Sequence, residues 1–200
     1  RHYKNLRVQI NTPYDTFNVK DIEKIRDFCK ANIDFDQHLF YMFREDGTLI
    51  SDTNAHLADD FLKFIQDHDL NELRERGRDL WSRAVRAMQS VAYEDTRRIK
   101  KDKEFIRPCH ATQKFVTLYD DGTFTPCEVL ATFSLANIRD YDFDYYKMKR
   151  ETDVNAYHRK EILDKKCNCE WMCVPTINML YDPMSYLRIA KGLYRPESNA

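Results

Sequence analysis

Five of the six cysteines lie in the second half of this 200-residue chain, and their grouping is its strongest chemical signal. They are Cys109, Cys127, Cys167, Cys169 and Cys173. Thiolates are soft ligands for zinc and for iron–sulfur clusters, and in a reducing cytoplasm grouped cysteines more often bind metal than form disulfides. A four-iron cluster takes one thiolate per iron, so these five are enough for one cluster and too few for two.

The spacing of these cysteines favours an iron–sulfur cluster over zinc, because it lacks the paired CxxC knuckles of structural zinc sites. The alternative is a non-catalytic interaction module in which zinc staples the cysteines together. His110 follows Cys109 directly and could replace a thiolate, as histidine does in some clusters, although a loop histidine is the simpler interpretation. Cys29 falls on the apolar face of a predicted helix and is interpreted as a small core residue.

Other chemistry finds little support in the sequence. With four glycines in the chain, a glycine-rich phosphate-binding loop is disfavoured, and neither GxSxG nor HExxH occurs. The acidic pairs, such as Asp120 and Asp121, have no partner that argues for acid–base catalysis. The grouped cysteines are therefore the main candidates for function.

The charge balance argues against two kinds of partner. Lys and Arg number 32 against 33 Asp and Glu, so no long-range field attracts nucleic acid or an anionic membrane. No apolar run approaches the roughly 18 residues that cross a bilayer, and the first residues lack the apolar segment of a secretory signal. We therefore expect a cytoplasmic protein with neither a nucleic-acid nor a membrane partner.

The first half of the chain reads as a βαβ unit. A strand is predicted over residues 6–11, then a helix that begins with Asn18 as its N-cap and Asp21 three residues later. A second buried strand is predicted over residues 39–43. Two strands joined by a helix in this way favour parallel pairing.

Helices are predicted after this unit. Apolar residues at three- and four-residue steps over 57–91 indicate two long helices. The almost fully charged stretch 94–107 is either a domain boundary or a solvated helix end. Asp182 and Pro183 predict the start of a last helix that ends near Gly192.

A β-hairpin is predicted between the first two grouped cysteines. Its strands cover 115–119 and 123–125, and its turn lies at Asp121 and Gly122. A two-residue turn there would place Val116 opposite Cys127. Cys109 then approaches Cys127 only if residues 110–114 fold back, so the hairpin alone does not build a site.

The cysteine pattern resembles that of a known family. Twelve residues separate Cys109 from Gly122, and four separate Gly122 from Cys127, which resembles the CX9-15GX4C opening of SPASM and Twitch domains. Cys169 and Cys173 look like the CX3C ending of that pattern. Only one residue separates Cys167 from Cys169, where the fuller pattern has wider spacings. The resemblance implies Cys109, Cys127, Cys169 and Cys173 as the four ligands, with Cys167 as the alternative to Cys169. SPASM and Twitch domains bind auxiliary clusters at the C-terminus of radical S-adenosylmethionine (SAM) enzymes.

The resemblance implies an α/β fold in two parts. Residues 1–100 would be the last strands and helices of a radical SAM partial (βα) barrel. Residues 101–200 would be a small α+β SPASM/Twitch-like iron–sulfur domain that contains the β-hairpin. The family's CxxxCxxC motif, which binds the SAM-cleaving cluster, does not occur. We therefore expect the C-terminal part of a longer enzyme, inactive by itself.

The resemblance also implies cofactors and partners. The parent enzyme would be an oxidoreductase that uses SAM, and this chain would hold one auxiliary 4Fe-4S cluster for electron transfer or substrate positioning. By family position, Asn11, Asn18, Met42 and Arg44 would lie on the SAM side. The partners would be the N-terminal part of the parent and a peptide or small-molecule substrate. Exposed barrel edges predict self-association.

Overall fold

The computed structural model describes residues 6, 8–43, 54–68, 79–130, 133–170 and 173–194. This part of the chain is mixed α/β, with helices predominating and two small sheets. No helix within it is long and apolar enough to cross a bilayer. The elements, in chain order, are β1 (Gln9–Tyr14), α1 (Ile22–Asn32), β2 (Gln37–Met42), a 3-10 turn (Ala55–Leu57), α2 (Ala58–Asp67), α3 (Leu80–Asp102), β3 (Thr117–Leu118), β4 (Thr123–Thr125), two 3-10 turns (Glu128–Leu130 and Ile138–Tyr141) on either side of β5 (Ala136–Asn137), α4 (Tyr145–Glu151), α5 (Val154–Tyr157), a π-helix (His158–Leu163), α6 (Cys173–Met179) and α7 (Pro183–Tyr194).

The βαβ unit is confirmed. β1 and β2 pair in parallel, from Gln9 opposite Gln37 to Tyr14 opposite Met42, and α1 lies between them in the chain. The predicted bounds of the first strand were wrong, because β1 begins at Gln9 and continues through Pro13. Proline lacks the N–H that a central strand would use, but within the part of the chain that the structure describes β1 pairs with β2 along one edge only.

The predicted N-cap of α1 was also wrong. The helix begins at Ile22, and its N-cap is Asp21. Asn18 instead closes the loop after β1, since its amide nitrogen donates to the Pro13 carbonyl at 2.7 Å and its side-chain oxygen accepts from the Asp15 N–H at 3.0 Å. A side chain bonded back to this loop cannot cap the helix that follows.

One face of the parallel sheet carries the first core. Tyr14 and Phe40 lie on this face and pack against Phe61 and Phe64 of α2, with ring centroids 4.9 to 5.8 Å apart. Tyr93 of α3 closes the group, 5.9 Å from Phe61. Burial of large aromatic side chains is the main stabilising contribution here.

The charged stretch at 94–107 is for the most part helical. α3 runs for 23 residues to Asp102, and Lys103 ends it in the left-handed region at φ 54°. Asp95, Ile99 and Lys100 are buried, so the interpretation of a solvated helix end was wrong for this face. Ion pairs within the structure compensate the buried charges, and composition alone does not reveal them.

α3 connects the first core to the C-terminal helices. Val91 and Ala92 pack against Met179 of α6. α7 lies antiparallel to α3, since Arg188 contacts Asp95 and the later Gly192 contacts the earlier Ala87. α7 begins after Asp182 as predicted, and continues slightly beyond the predicted end, to Tyr194.

The hairpin exists, but its predicted register was wrong by one residue. Thr117 pairs with Thr125 and Leu118 with Phe124, so the loop between Tyr119 and Thr123 has three residues. Gly122 adopts φ +86°, the left-handed conformation that such bulged loops require. β5 adds a third strand that the sequence did not predict.

Candidate metal centre

Four of the grouped cysteines meet in one buried cluster. Cys109, Cys127, Cys167 and Cys169 are 5 to 8% exposed and pack together with seven apolar side chains. These side chains are Ala111, Phe115, Val129, Leu130, Tyr157, Ile162 and Val174. Cys173 begins α6 and is exposed. The fold thus brings together thiols that are widely separated in sequence.

Residues 110–114 fold back as the sequence required. The Lys114 N–H donates to the His110 carbonyl at 2.9 Å, and the Thr112 N–H donates to the Phe115 carbonyl at 2.8 Å. The buried ring of His158 secures this turn, because its Nδ1 lies 2.8 Å from the Ala111 carbonyl oxygen and must donate to it. The turn places Cys109 in the same cluster as Cys127.

Two hydrogen bonds position the segment around Cys167, one from its own backbone and one from the neighbouring Asn168 side chain. The Cys167 N–H donates to the carbonyl of Ile162, in the π-helix, at 2.8 Å. The next side chain, Asn168, donates to the Glu104 carbonyl at 2.6 Å. The chain just before Cys109 is therefore tied to the chain just after Cys167. π-helical turns often occur at functional sites, and this one supplies Ile162 to the cluster wall.

The sulfur of Cys109 is surrounded by hydrogen-bond donors. The Cys167 thiol donates to it, the Ala111 N–H lies 3.4 Å away, and the Asn178 amide contributes a third hydrogen bond. The Cys167 hydrogen bond is the largest of the effects that lower the Cys109 pKa to about 7, against the opposing effect of burial. The pKa of Cys167 is raised, first because its thiol proton is hydrogen-bonded to the Cys109 sulfur, and second because the thiol is buried.

The surroundings of the other cluster groups are less polar. Burial raises the pKa of Tyr157 to about 12, with further contributions from Glu161 and from Cys127 and Cys167. Partial burial also raises the pKa of Cys173, and the Glu128 carboxylate adds to the effect. Cys109 is thus the cluster cysteine whose surroundings most favour a thiolate among those with a resolved shift.

A buried ion pair lies directly beside the cluster. Lys100 Nζ is 2.7 Å from a carboxylate oxygen of Glu170, the residue after Cys169, and both side chains are almost inaccessible. The same ammonium group is 3.5 Å from the Phe43 carbonyl, just beyond β2. Lys100 therefore connects the carboxyl end of the parallel strands to the cysteine segment.

A second buried network holds the segment that leads to Cys109. Arg107 donates to Asp95, which is completely buried, and its Nε is 3.3 Å from Asp182 at the start of α7. Arg188 of α7 also reaches Asp95, at 2.5 Å. These contacts fix the approach to Cys109 against α3 and α7.

The structure separates the residues predicted for the SAM side. Asn11 is exposed on the open face of the sheet, where Gln9 donates to it at 2.8 Å. Met42 is buried on the opposite, helix-covered face. Asn18 lies in the loop after β1, at the carboxyl end of that strand. Arg44 lies outside the described residues.

Cys29 and His110, which lie outside the cluster, pack against other parts of the protein. Cys29 is buried in α1, which confirms the core interpretation. The ring of His110 packs beside Tyr181, with centroids 5.1 Å apart. Burial and the nearby His158 and Lys114 lower the pKa of His110.

A 4Fe-4S cluster fits this site in donor chemistry, but its ligands are not preformed around one point. The four thiols match the one-per-iron requirement, and N–H donors to Cys109 are the groups that tune cluster sulfurs. In the described ranges, no group of three or more His, Cys, Asp or Glu side chains is arranged to hold a metal ion. A single zinc needs sulfurs about 3.8 Å apart around it. A four-iron cluster places its thiolates farther apart.

Sequence reasoning missed the residues that support the cysteines. Asn178, His158 and Lys100 are single polar residues in otherwise unremarkable segments, and no motif marks them. Lys100 alone has a weak sequence signal of burial, since it lies on the same helix face as Asp95 and Ile99 within the charged stretch. Only the three-dimensional contacts identify their roles.

Comparisons with known proteins add no relative. The chain matches no family model, and searches of curated proteins and of solved structures return no significant similarity.

Proposed function

We propose that this chain is the C-terminal part of a radical SAM iron–sulfur oxidoreductase and that it binds one auxiliary 4Fe-4S cluster. The observation that carries the proposal is the burial of Cys109, Cys127, Cys167 and Cys169 in one cluster. Four thiols from three separate segments meet at this site, and the segments are held by side-chain and backbone contacts outside the cluster.

Three ligands of the proposed cluster are Cys109, Cys127 and Cys169, and we take Cys167 as the fourth in place of Cys173, which the resemblance implied. Burial favours Cys167 over Cys173, because Cys173 is exposed at the start of α6 whereas Cys167 packs among the other three. Cys173 is the alternative fourth ligand. A bound cluster would supply one-electron transfer or a site that positions substrate.

The protein's own residues would prepare this site in three ways. The N–H of Ala111 and the amide of Asn178 stabilise negative charge on the Cys109 sulfur. Apolar neighbours such as Val129 and Ile162 exclude water from the thiols. Lys100 and Glu170 hold the Cys169 segment against the end of β2.

The first half of the chain would contribute strands to a barrel that the parent enzyme completes. Helices cover one face of the sheet, and the other face, with Asn11 and Tyr41, is partly exposed. In a closed barrel, this open face would line the interior where SAM and a peptide or small-molecule substrate bind. Among the described residues, β1 and β2 each pair along one edge only, and their other edges would pair with strands of the N-terminal part or, in the isolated chain, with a second copy.

Anaerobic reconstitution with iron and sulfide tests the proposal. We expect about four irons and four sulfides per chain, with broad absorbance at about 400 nm that falls on reduction. Cys167→Ser and Cys173→Ser then identify the fourth ligand, since only the variant that lacks it should lose iron. Cys29→Ala is the matched control and should keep its full iron content. One tightly bound zinc without sulfide would contradict the proposal and support the zinc-stapled module.

A further inference from the structure

A surface cleft lies where α4 ends and α5 begins, in a part of the cysteine half that the proposed cluster does not use. Its volume is about 530 Å³, which falls in the range of roughly 300–1,000 Å³ that small-molecule sites occupy. The side chains along it combine one aromatic ring with charged and polar groups, and include Tyr146, Lys149, Arg150, Glu151, Asp153 and Asn155.

The walls of this cleft are fixed by contacts beneath and beside them. Met148 of α4 and Val154 of α5 are 1% and 5% exposed. Between the two helices, the N–H and the hydroxyl of Thr152 both donate to the Met148 carbonyl, at 2.9 and 2.6 Å. Gln113 donates to the Asn155 side-chain oxygen at 2.9 Å and ties α5 to the turn at 110–114. The cleft is therefore preformed, which lowers the entropic cost of binding a ligand.

One wall is an exposed aromatic ring with a defined orientation. The ring of Tyr146 meets that of Tyr145 in a T-shaped contact, with centroids 5.6 Å apart. Tyr145 in turn packs beside Phe124, 5.8 Å away, in the core under α4. Tyr146 is nevertheless 71% exposed. A supported ring with this much free surface can stack on a planar group of a ligand.

Two cations at the end of α4 are available to the same ligand. Within the part of the chain that the structure describes, Lys149 and Arg150 take part in no hydrogen bond or ion pair. Asp153 is already used, because its carboxylate accepts from the Ala156 N–H at 3.1 Å and caps α5. This leaves two cations against one carboxylate, that of Glu151. A guanidinium group binds carboxylate and phosphate through two parallel hydrogen bonds.

We propose that this cleft binds a small organic anion that carries a planar ring. The ring stacks on Tyr146, and the carboxylate or phosphate of the ligand binds the Arg150 guanidinium, with the Lys149 ammonium beside it. Each contact alone is weak, because an exposed ion pair in water contributes little. Recognition therefore needs the ring and the anion in one molecule. This site is independent of the proposed cluster, since no cysteine takes part in it.

Ligand-observed nuclear magnetic resonance titration of the full chain at low salt tests the proposal, because low salt screens exposed charges least. AMP and indole-3-acetate carry both a ring and an anion, and represent phosphate and carboxylate ligands. Inorganic phosphate lacks the ring, and adenosine lacks the anion. We expect at least one ring-bearing anion to bind about tenfold more tightly than phosphate and adenosine. The tighter of the two identifies the anionic group that the site prefers.

Two results of this titration would overturn the proposal. Absence of binding by both AMP and indole-3-acetate would show that the cleft is not a site for ring-bearing anions. Equal affinity for these ligands and for phosphate or adenosine would show that ring and anion are not recognised together.

Variants then locate the bound ligand. Tyr146→Ala and Arg150→Gln should each weaken binding about tenfold, whereas Tyr146→Phe keeps the ring and should bind as the unsubstituted chain does. Phe143→Ala is the matched aromatic control, since Phe143 is also 71% exposed but is not among the residues that line the cleft. Lys160→Gln is the charge control, because its side chain is 82% exposed outside the cleft. Equal losses in the controls would assign the binding to nonspecific attraction and contradict the proposal.

Discussion

The two halves of this molecule are stabilised by different means. The βαβ half packs aromatic rings from both strands and two helices, with Phe61 and Tyr93 at its centre. The cysteine half packs thiols among aliphatic and aromatic side chains near Cys109 and relies on buried polar anchors such as Asp95 and His158. Its three-stranded sheet contributes strands of only two or three residues.

This difference indicates how each half responds to its surroundings. An aromatic core depends on buried area and changes little with metal or oxidation. A core of thiols and charges depends on the protonation, oxidation and metal-binding state of those groups. The stability lost on disrupting the aromatic core should therefore change little with redox conditions. The stability lost on disrupting the cysteine core should depend on both pH and redox conditions.

The largest expected loss of stability is in the aromatic half. Phe61→Ala should lower the free energy of unfolding by about 3–5 kcal/mol, because the side chain is 2% exposed and its removal leaves a cavity. Phe17→Ala is the control, since Phe17 is 94% exposed and should change stability by less than about 0.5 kcal/mol. Urea denaturation followed by circular dichroism measures both. Equal losses for the two variants would contradict the assignment of this core.

The next effect concerns the ion pair between the halves. Lys100→Met should cost about 3 kcal/mol, since it leaves the buried Glu170 carboxylate without its cation. The double variant Lys100→Met with Glu170→Gln should lose less, because no buried charge is left uncompensated. Lys101→Met is the matched control: this neighbour pairs with exposed Asp59 and should cost less than about 1 kcal/mol. A double variant less stable than the single one would refute the coupling.

Between pH 6.5 and 9, a pH effect on stability should arise from the cysteine half. Contact with Cys167 lowers the pKa of Cys109 from 9.0 to about 7 in the folded chain. The Cys109 thiolate therefore contributes stability that is fully present above the unfolded pKa near 9 and is lost as pH falls through about 7. The raised pKa of Cys167 acts in the opposite direction and lowers stability as pH rises above the unfolded value.

Anaerobic urea denaturation of the metal-free chain from pH 6.5 to 9 measures this effect. We expect a gain of about 1–2 kcal/mol across the range. Cys109→Ser should flatten the profile, and Cys29→Ala should leave it unchanged. A rise that persists in Cys109→Ser would assign it to another group.

The smallest expected effect is at the hairpin. Gly122→Ala should cost about 1–2 kcal/mol, because an L-residue is strained at φ +86°. An added Cβ would also lie 2.7 Å from the Asn137 side-chain oxygen, which would have to move. Gly122→Asn should cost less than Gly122→Ala, since asparagine tolerates the left-handed region better. Thermal denaturation ranks the two variants, and the opposite order would point to crowding rather than backbone strain.

The sequence predicted the elements better than it predicted their details. The sequence predicted both parallel strands, yet it could not show that β1 passes through Pro13, because edge pairing depends on the neighbouring strand. The turn at Gly122 was recognised, but the one-residue shift in register depends on the left-handed conformation of that glycine. Local patterns determine which segments form, while pairing determines their bounds.

The candidate site was predictable in its thiols and unpredictable in its supports. The grouping of Cys109 with Cys127 follows from spacing, and the required fold-back of residues 110–114 was confirmed. Asn178 and His158 gave no signal, because a single polar residue acquires its role only from what the fold places beside it. The SAM, the parent enzyme and the cluster stay predictions for the experiments above.

The long helix α3 has a practical consequence for dividing this chain. A piece that begins at residue 101 would leave behind Asp95, the partner of Arg107, and Lys100, the partner of Glu170. It would also lose Val91 and Ala92, on which Met179 packs. The cysteine half therefore cannot be separated from the rest of the chain at residue 101. A fragment meant to fold by itself must include all of α3, beginning at Leu80.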